Sequence, residues 1–291
     1  VPHIPVLDST MYHEEVSGEG TPIVFLHGNP ASSHLWRKVL PAVELSTRLL
    51  APDLIGMGRS GKPDGDYRFA HHARYLEAWF DRMRLGEVVL VGHDWGGALA
   101  FDWAARHPGR VRGVAFFETI MRPMTWAELG DGPRSRAMAM RGSQGEELAL
   151  DRTSFLESAF SGGVLHPLDA EDLQAYLAPY PTRVSRRPIL EWARSLPLDG
   201  QPSEVTERVE QYDTWLADSH GVPKLLLTFD SSPTLLIGSE LAEWCKAHVT
   251  GLETEHCGPA GHHAPEDQPA SIAKAITAWA KRHSLIRLQQ P

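Results

Sequence analysis

Cysteine is almost missing: Cys245 and Cys257 are the only two in 291 residues, and their spacing fits neither a metal site nor a disulfide framework. Two incidental thiols in a reducing compartment are expected. No apolar run approaches the length of a membrane span. Residues 1–20 have neither a cationic start nor an apolar core, so no secretory leader is expected there and the protein is expected to be cytoplasmic. Positive charge is in the minority, 28 Lys and Arg against 37 Asp and Glu for a net charge of −9. With no long basic run, nucleic acid and anionic membrane are poor candidates as partners. Repeats and low-complexity tracts are also lacking. What the chain does have is 42% apolar content, enough for one large domain or one domain carrying an insertion.

The first 120 residues alternate strand-like and helix-like segments. Thr10–Val16 alternates as an edge strand does, and Pro22–Leu26, Arg48–Ala51, Val88–Val91 and Val111–Phe117 read as short buried strands. Helices are expected over Ser33–Val43 and Phe69–Met83, and again after Gly96. From Pro123 to Tyr212 no strand stands out, and charged helical stretches and prolines dominate. The strand signature returns at Pro223–Phe229, followed by a helix near Ser239–Ala247, a strand near Glu253–His256 and a helix Ala270–Arg282. Repeated βα units with apolar strands predict a mostly parallel central sheet flanked by helices. The simplest division is a core of residues 1–122 and 213–291, interrupted by a helical cap of residues 123–212.

Gly92-His93-Asp94-Trp95-Gly96 lies between a predicted strand and a predicted helix. A sharp strand-to-helix turn with small residues around one reactive side chain is the nucleophile-elbow pattern, with aspartate where serine is usual. A serine hydroxyl needs a base before it attacks. A carboxylate is already ionised and displaces a leaving group directly, leaving an ester on the enzyme. The bland alternative is a helix N-cap between two glycines.

An ester on Asp94 needs a base to activate water, and His262 sits on the loop after the last predicted strand, giving the chain order nucleophile, acid, histidine. Its neighbour His263 is expected at the surface or lining the pocket. Two carboxylates compete to orient His262: Glu118, which ends the strand Val111–Phe117, and Asp230, which ends the strand Pro223–Phe229. Spacing does not choose between them. His27-Gly28-Asn29-Pro30 closes another strand, so the backbone N–H groups of Asn29 and Trp95 are candidates for an oxyanion hole. Their side chains, an amide and an indole, are neutral N–H donors that suit a departing anion without quenching the nucleophile.

These residues resemble the haloalkane dehalogenases, α/β hydrolases that cut carbon–halogen bonds with water. The likeness runs through His27–Pro30, Asp53–Ser60, Gly92–Gly96, Phe117–Pro123, Arg187-Pro188, Leu196-Pro197, and Gly261-His262 with Glu266-Asp267 after it. It is closest to the branch with a glutamate after the sixth strand, which also holds a cofactor-independent luciferase. The resemblance implies the α/β-hydrolase fold with a helical cap, and Asp94 as nucleophile, His262 as base and Glu118 as acid. It further implies Asn29 and Trp95 as the halide-binding pair, and Pro197, Leu235, Leu236 and Phe155 along the substrate pocket. The implied substrate is a small halogenated hydrocarbon, the implied products are an alcohol, a halide ion and a proton, and no metal or organic cofactor is implied. Two positions depart from the pattern: His263 replaces an aromatic or bulky apolar residue, and Gly97 replaces a common serine.

The first rival is an epoxide hydrolase with the same aspartate. It needs an acid for the ring oxygen, for which the cap offers Tyr176, Tyr180 and Tyr212, although Asn29 stands where that family usually has a large aromatic. Luciferase-like oxygenation of an imidazopyrazinone, and a non-catalytic binder on the same fold, are the others.

Overall fold

The computed structural model describes residues 2–230 and 235–287. Its centre is one eight-stranded sheet in the order β1-β2-β4-β3-β5-β6-β7-β8. The strands are β1 (His3–Val6), β2 (Ser9–Val16), β3 (Ile23–Leu26), β4 (Leu49–Pro52), β5 (Val88–His93), β6 (Val111–Phe117), β7 (Lys224–Asp230) and β8 (Leu252–Pro259). The β1–β2 and β2–β4 pairings are antiparallel, whereas β4 through β8 run parallel. The expected mostly parallel α/β sheet is therefore present.

The inner strands are apolar on both faces because both are covered. Val24, Leu26, Val88 and Leu90 point into one core layer. Ile23, Phe25, Val89 and Val91 point into the other. The first layer is closed by α1 (Phe69–Arg82) and α2 (Trp95–Arg106). Between β6 and β7 lie α3 (Asp131–Arg141), α4 (Ser154–Gly162), α5 (Ala170–Leu177), α6 (Arg187–Arg194) and α7 (Ser203–Asp218). The last of these spans residue 212 and packs on α2 through an Arg208–Asp102 ion pair and the Tyr212–Phe101 contact. After β7 come α8 (Ser239–His248), α9 (Ala264–Asp267) and α10 (Pro269–Arg282), the last of which packs on the second layer.

The helix expected over Ser33–Val43 is instead two short 3-10 turns, Ser33–Trp36 and Leu40–Ala42. Pro41 lies in the second turn and has no N–H to continue a helical ladder.

A buried ionic seam ties this region to α5 and α9. Arg37 donates to both carboxylate oxygens of Glu266, at 2.8 Å to Oε2, and also to Asp172 on α5. The Glu266 side chain is only 2% exposed. Removing one member of a buried pair leaves an uncompensated charge. Lys38 at 3.3 Å and the Tyr176 hydroxyl remain to Glu266. Arg37→Ala is therefore expected at the low end of such losses, about 3 kcal/mol. Urea unfolding checks this, and an unchanged midpoint would show the seam to be neutral.

Candidate active site

Asp94 joins β5 to α2 with φ 52° and ψ −131°, a left-handed conformation that costs an aspartate of order 1–3 kcal/mol. Neighbouring bonds hold it there. Its N–H donates to the Glu118 carbonyl at 3.1 Å, and its own carbonyl accepts from the Thr119 hydroxyl at 2.6 Å. Gly97 makes room for that hydroxyl, since a Cβ there would sit 2.3 Å from Thr119 Oγ1. The unusual glycine thus accompanies a threonine that braces the elbow. A Cβ on Gly28 would likewise fall 2.3 Å from Asp94 Oδ2. Its absence lets the Asn29 backbone N–H donate to Oδ2 at 2.7 Å, and the Trp95 backbone N–H also bonds this carboxyl group.

His262 follows β8 and faces both carboxylates. Nδ1 lies 3.0 Å from Glu118 Oε2, and Nε2 lies 3.7 Å from Asp94 Oδ1. Glu118 is 1% exposed and is itself held at φ 49°. The Leu236 and Ile237 backbone N–H groups donate to its two oxygens at 2.7 and 3.1 Å. Asp230, the other carboxylate the sequence left open, is at the surface beside His256 at 3.0 Å.

Burial raises the Asp94 carboxyl above its ordinary range, against the pull of His262 and the two backbone donors. For His262 burial disfavours the charge, but the Glu118 and Asp94 carboxylates outweigh it and raise the imidazole. The site therefore holds a destabilised carboxylate beside an imidazole whose basicity depends on that same carboxylate.

The neutral donors are fixed from outside the sheet. Asn29 Nδ2 donates to the Ile189 carbonyl of α6 at 3.1 Å, which sets the amide orientation and leaves its second hydrogen available. The Trp95 indole stacks on Trp192 of α6 at 4.7 Å, and Trp192 stacks on His72 of α1 at 4.3 Å. The Asp94 carboxyl, the Glu118-bonded His262 imidazole and two backbone N–H donors meet here, with the Asn29 amide and the Trp95 indole held by α6.

A family model described as the alpha/beta hydrolase fold matches residues 21–269. A haloalkane dehalogenase of Mesorhizobium japonicum is 42% identical over 279 residues, covering 95% of this chain and 89% of that protein. One of Agrobacterium fabrum is 42% identical over 271 residues, covering 93% and 88%. The chain belongs to the haloalkane dehalogenase family. The solved dehalogenase DbeA from Bradyrhizobium elkani superposes with a TM-score of 0.92 at 40% identity, covering 97% of each chain. DatA from Agrobacterium tumefaciens gives 0.90 at 40% identity, covering 97% and 96%.

Within this dehalogenase scaffold the pocket residues fall in different places. Leu235 and Leu236 line a cleft of about 520 Å³ with Ile120, Met121 and Trp244, and the aspartate, histidine and glutamate do not line it. Pro197 is buried, and its carbonyl accepts from Met124 N–H at 2.9 Å. Phe155 packs on the small apolar clusters around Leu150 and Tyr180. His263, expected at the surface or lining the pocket, is not at the surface. It is 2% exposed, stacked on Phe160 of α4 at 5.0 Å, with its backbone N–H on the Gly163 carbonyl at 2.7 Å. Burial, then the nearby His262, pushes its imidazole down to about 3.

The sequence did not flag Thr119, Ile189, Trp192 or His93. Thr119 and His93 lie inside the quoted stretches Phe117–Pro123 and Gly92–Gly96 without being singled out, whereas Ile189 and Trp192 lie beyond Arg187-Pro188 and contact the site across long chain separations. Among the described residues no helix is long and apolar enough to cross a membrane.

Proposed function

We propose that this chain hydrolyses haloalkanes through an ester on Asp94, with residues 123–212 capping the site. One observation carries the reading: Asp94 Oδ2 sits on the Asn29 N–H at 2.7 Å, while Oδ1 faces the His262 ring at 3.7 Å. Oδ2 is thus already in position to become the ester carbonyl, and Oδ1 is left to attack. Attack at the halogen-bearing carbon forms the C–O bond and breaks the C–halogen bond. The halide leaves with the bonding pair into the Asn29 amide and Trp95 indole N–H groups.

His262, oriented by Glu118, then takes a proton from water, and the hydroxide adds to the Asp94 ester carbonyl. The oxyanion forms on the backbone N–H groups of Asn29 and Trp95. Collapse expels the alcohol oxygen, which takes the proton from His262. The Asp94 carboxylic acid then loses its proton to solvent, so alcohol, halide and one proton result. As written, the cycle calls for no metal or organic cofactor.

The epoxide alternative needs a tyrosine hydroxyl aimed at the nucleophile. Tyr176 instead donates to Glu266 and Tyr212 to the Ile120 carbonyl at 2.7 Å, so both hydroxyls are engaged elsewhere. Bromide release with acidification is expected on adding 1,2-dibromoethane or 1-bromobutane. No release from either, with styrene oxide hydrolysed instead, would overturn the reading.

A further inference from the structure

His263 is not used by the chemistry above, yet it completes a cluster of three imidazoles. One ring nitrogen each of His93, His262 and His263 lies within 4.8 Å of the other two. The rings are mutually inclined, at 44° for His93 and His262, 54° for His93 and His263 and 60° for His262 and His263. None of the three pairs is stacked.

Two of the rings carry a lone pair with no hydrogen-bond partner among the described residues. His93 Nε2 donates to the His262 carbonyl at 2.7 Å, which fixes that tautomer and leaves Nδ1 unprotonated. His93 Nδ1 is buried and has no hydrogen-bond partner among the described residues. The His263 ring bonds the Ala159 backbone, and because its Nδ1 is also buried without a partner, the donor is Nε2. Two buried acceptor nitrogens with nothing to accept are costly unless a ligand takes them up.

We propose that His93, His263 and His262 form a binding site for an imidazole-selective divalent transition metal, such as zinc, cobalt or copper, and that its occupation inhibits the enzyme. Neutral imidazole suits these ions, whereas magnesium and calcium want hard oxygen ligands. Tetrahedral zinc with bonds of about 2.0–2.1 Å needs nitrogens roughly 3.4 Å apart. Closing the 4.8 Å spread takes rotation about the broad terminal torsion of each ring. His262 is the way in, since its side chain is 16% exposed and the other two rings are buried. Asp94 Oδ1, 3.7 Å from His262 Nε2, is placed to be a fourth ligand. A metal there holds the base and the nucleophile together, so dehalogenation stops before the ester forms.

The test is cobalt binding by the whole chain, read by the visible absorption of low-coordinate cobalt, alongside halide release with and without zinc. Visible bands in the parent and their loss in His263→Phe, which keeps a ring on Phe160, are the expected result. Zinc is expected to slow the parent about tenfold or more, magnesium to have no effect, and a chelator to restore the rate. His263→Phe is expected to keep its halide release when zinc is added. No cobalt bands in the parent, or equal bands and equal zinc inhibition in both proteins, would overturn the site. The inhibition arm rests on His262 acting as the base, whereas the cobalt arm does not. Failure of that base assignment shows separately, as turnover that survives replacement of His262 without any metal.

Discussion

Asp94→Asn is expected to fold as the parent does and to release no halide above background from 1-bromobutane. The amide keeps the size of the carboxyl but is neutral and a far weaker nucleophile, so the first bond-forming step is lost. The same variant tests how His262 is tuned. In the parent, burial holds the imidazole down while Glu118 and Asp94 together raise it above its ordinary value. Removing the Asp94 charge leaves Glu118 as the carboxylate bonded to the ring, so the imidazole is expected to titrate lower than in the parent. Histidine ring shifts followed by NMR across a pH series give this directly. An unchanged imidazole pKa would mean that Asp94 does not set its charge, and sustained halide release would sink Asp94 as nucleophile.

That shift resolves an apparent conflict. A raised imidazole is a poor base at neutral pH because more of it is already protonated. The ester, however, has no charge. In the proposed cycle, esterification removes from His262 the same field that Asp94→Asn removes, and does so at the step where a neutral imidazole is needed. In the proposed mechanism, charge on Asp94 thus holds His262 in reserve during the first step and frees it for the second. Raising of the Asp94 carboxyl by burial works in the same direction, because a poorly solvated carboxylate gains by becoming a neutral ester.

The parts of the fold with a simple period were legible in the sequence. β3 to β7 are short apolar runs because parallel strands are buried on both faces, and each was expected within a residue or two of where it lies. β1 was not expected. His3–Val6 is mostly exposed, its pairing with β2 supplies the order, and neither leaves a hydrophobic pattern. The failed helix at Ser33–Val43 has apolar residues at helical spacing, but those residues pack from two separate turns.

In the site, local motifs placed Asp94, Asn29 and Trp95 together because all three sit at strand ends of one sheet. The choice between Glu118 and Asp230 was not legible without the family likeness. Both end neighbouring parallel strands, and what separates them is the backbone at Leu236 and Ile237 folding over Glu118. The contacts from α6 to Asn29 and Trp95 span 160 and 97 residues respectively and have no local signature.

His262→Phe separates the two half-reactions and carries the second large effect. In the proposed mechanism, alkylation needs only Asp94 and the donors that receive the halide, all of which this variant keeps. Hydrolysis of the ester loses its base, worth about 10²–10⁴-fold. Mixing with 1-bromobutane is therefore expected to release one bromide per active site in a burst and then almost none. Intact-protein mass should rise by one butyl group in place of a proton, with peptide mapping locating it on Asp94. Labelled water gives the complementary result in the parent: in a single turnover with excess enzyme, the alcohol oxygen comes from Asp94 and the label enters the carboxyl group. Label found in the alcohol instead would mean that water attacks the carbon directly, with Asp94 serving as base rather than nucleophile. Continued turnover by His262→Phe would remove the imidazole from the mechanism and leave the buried Glu118–His262 pair without a catalytic reason to exist.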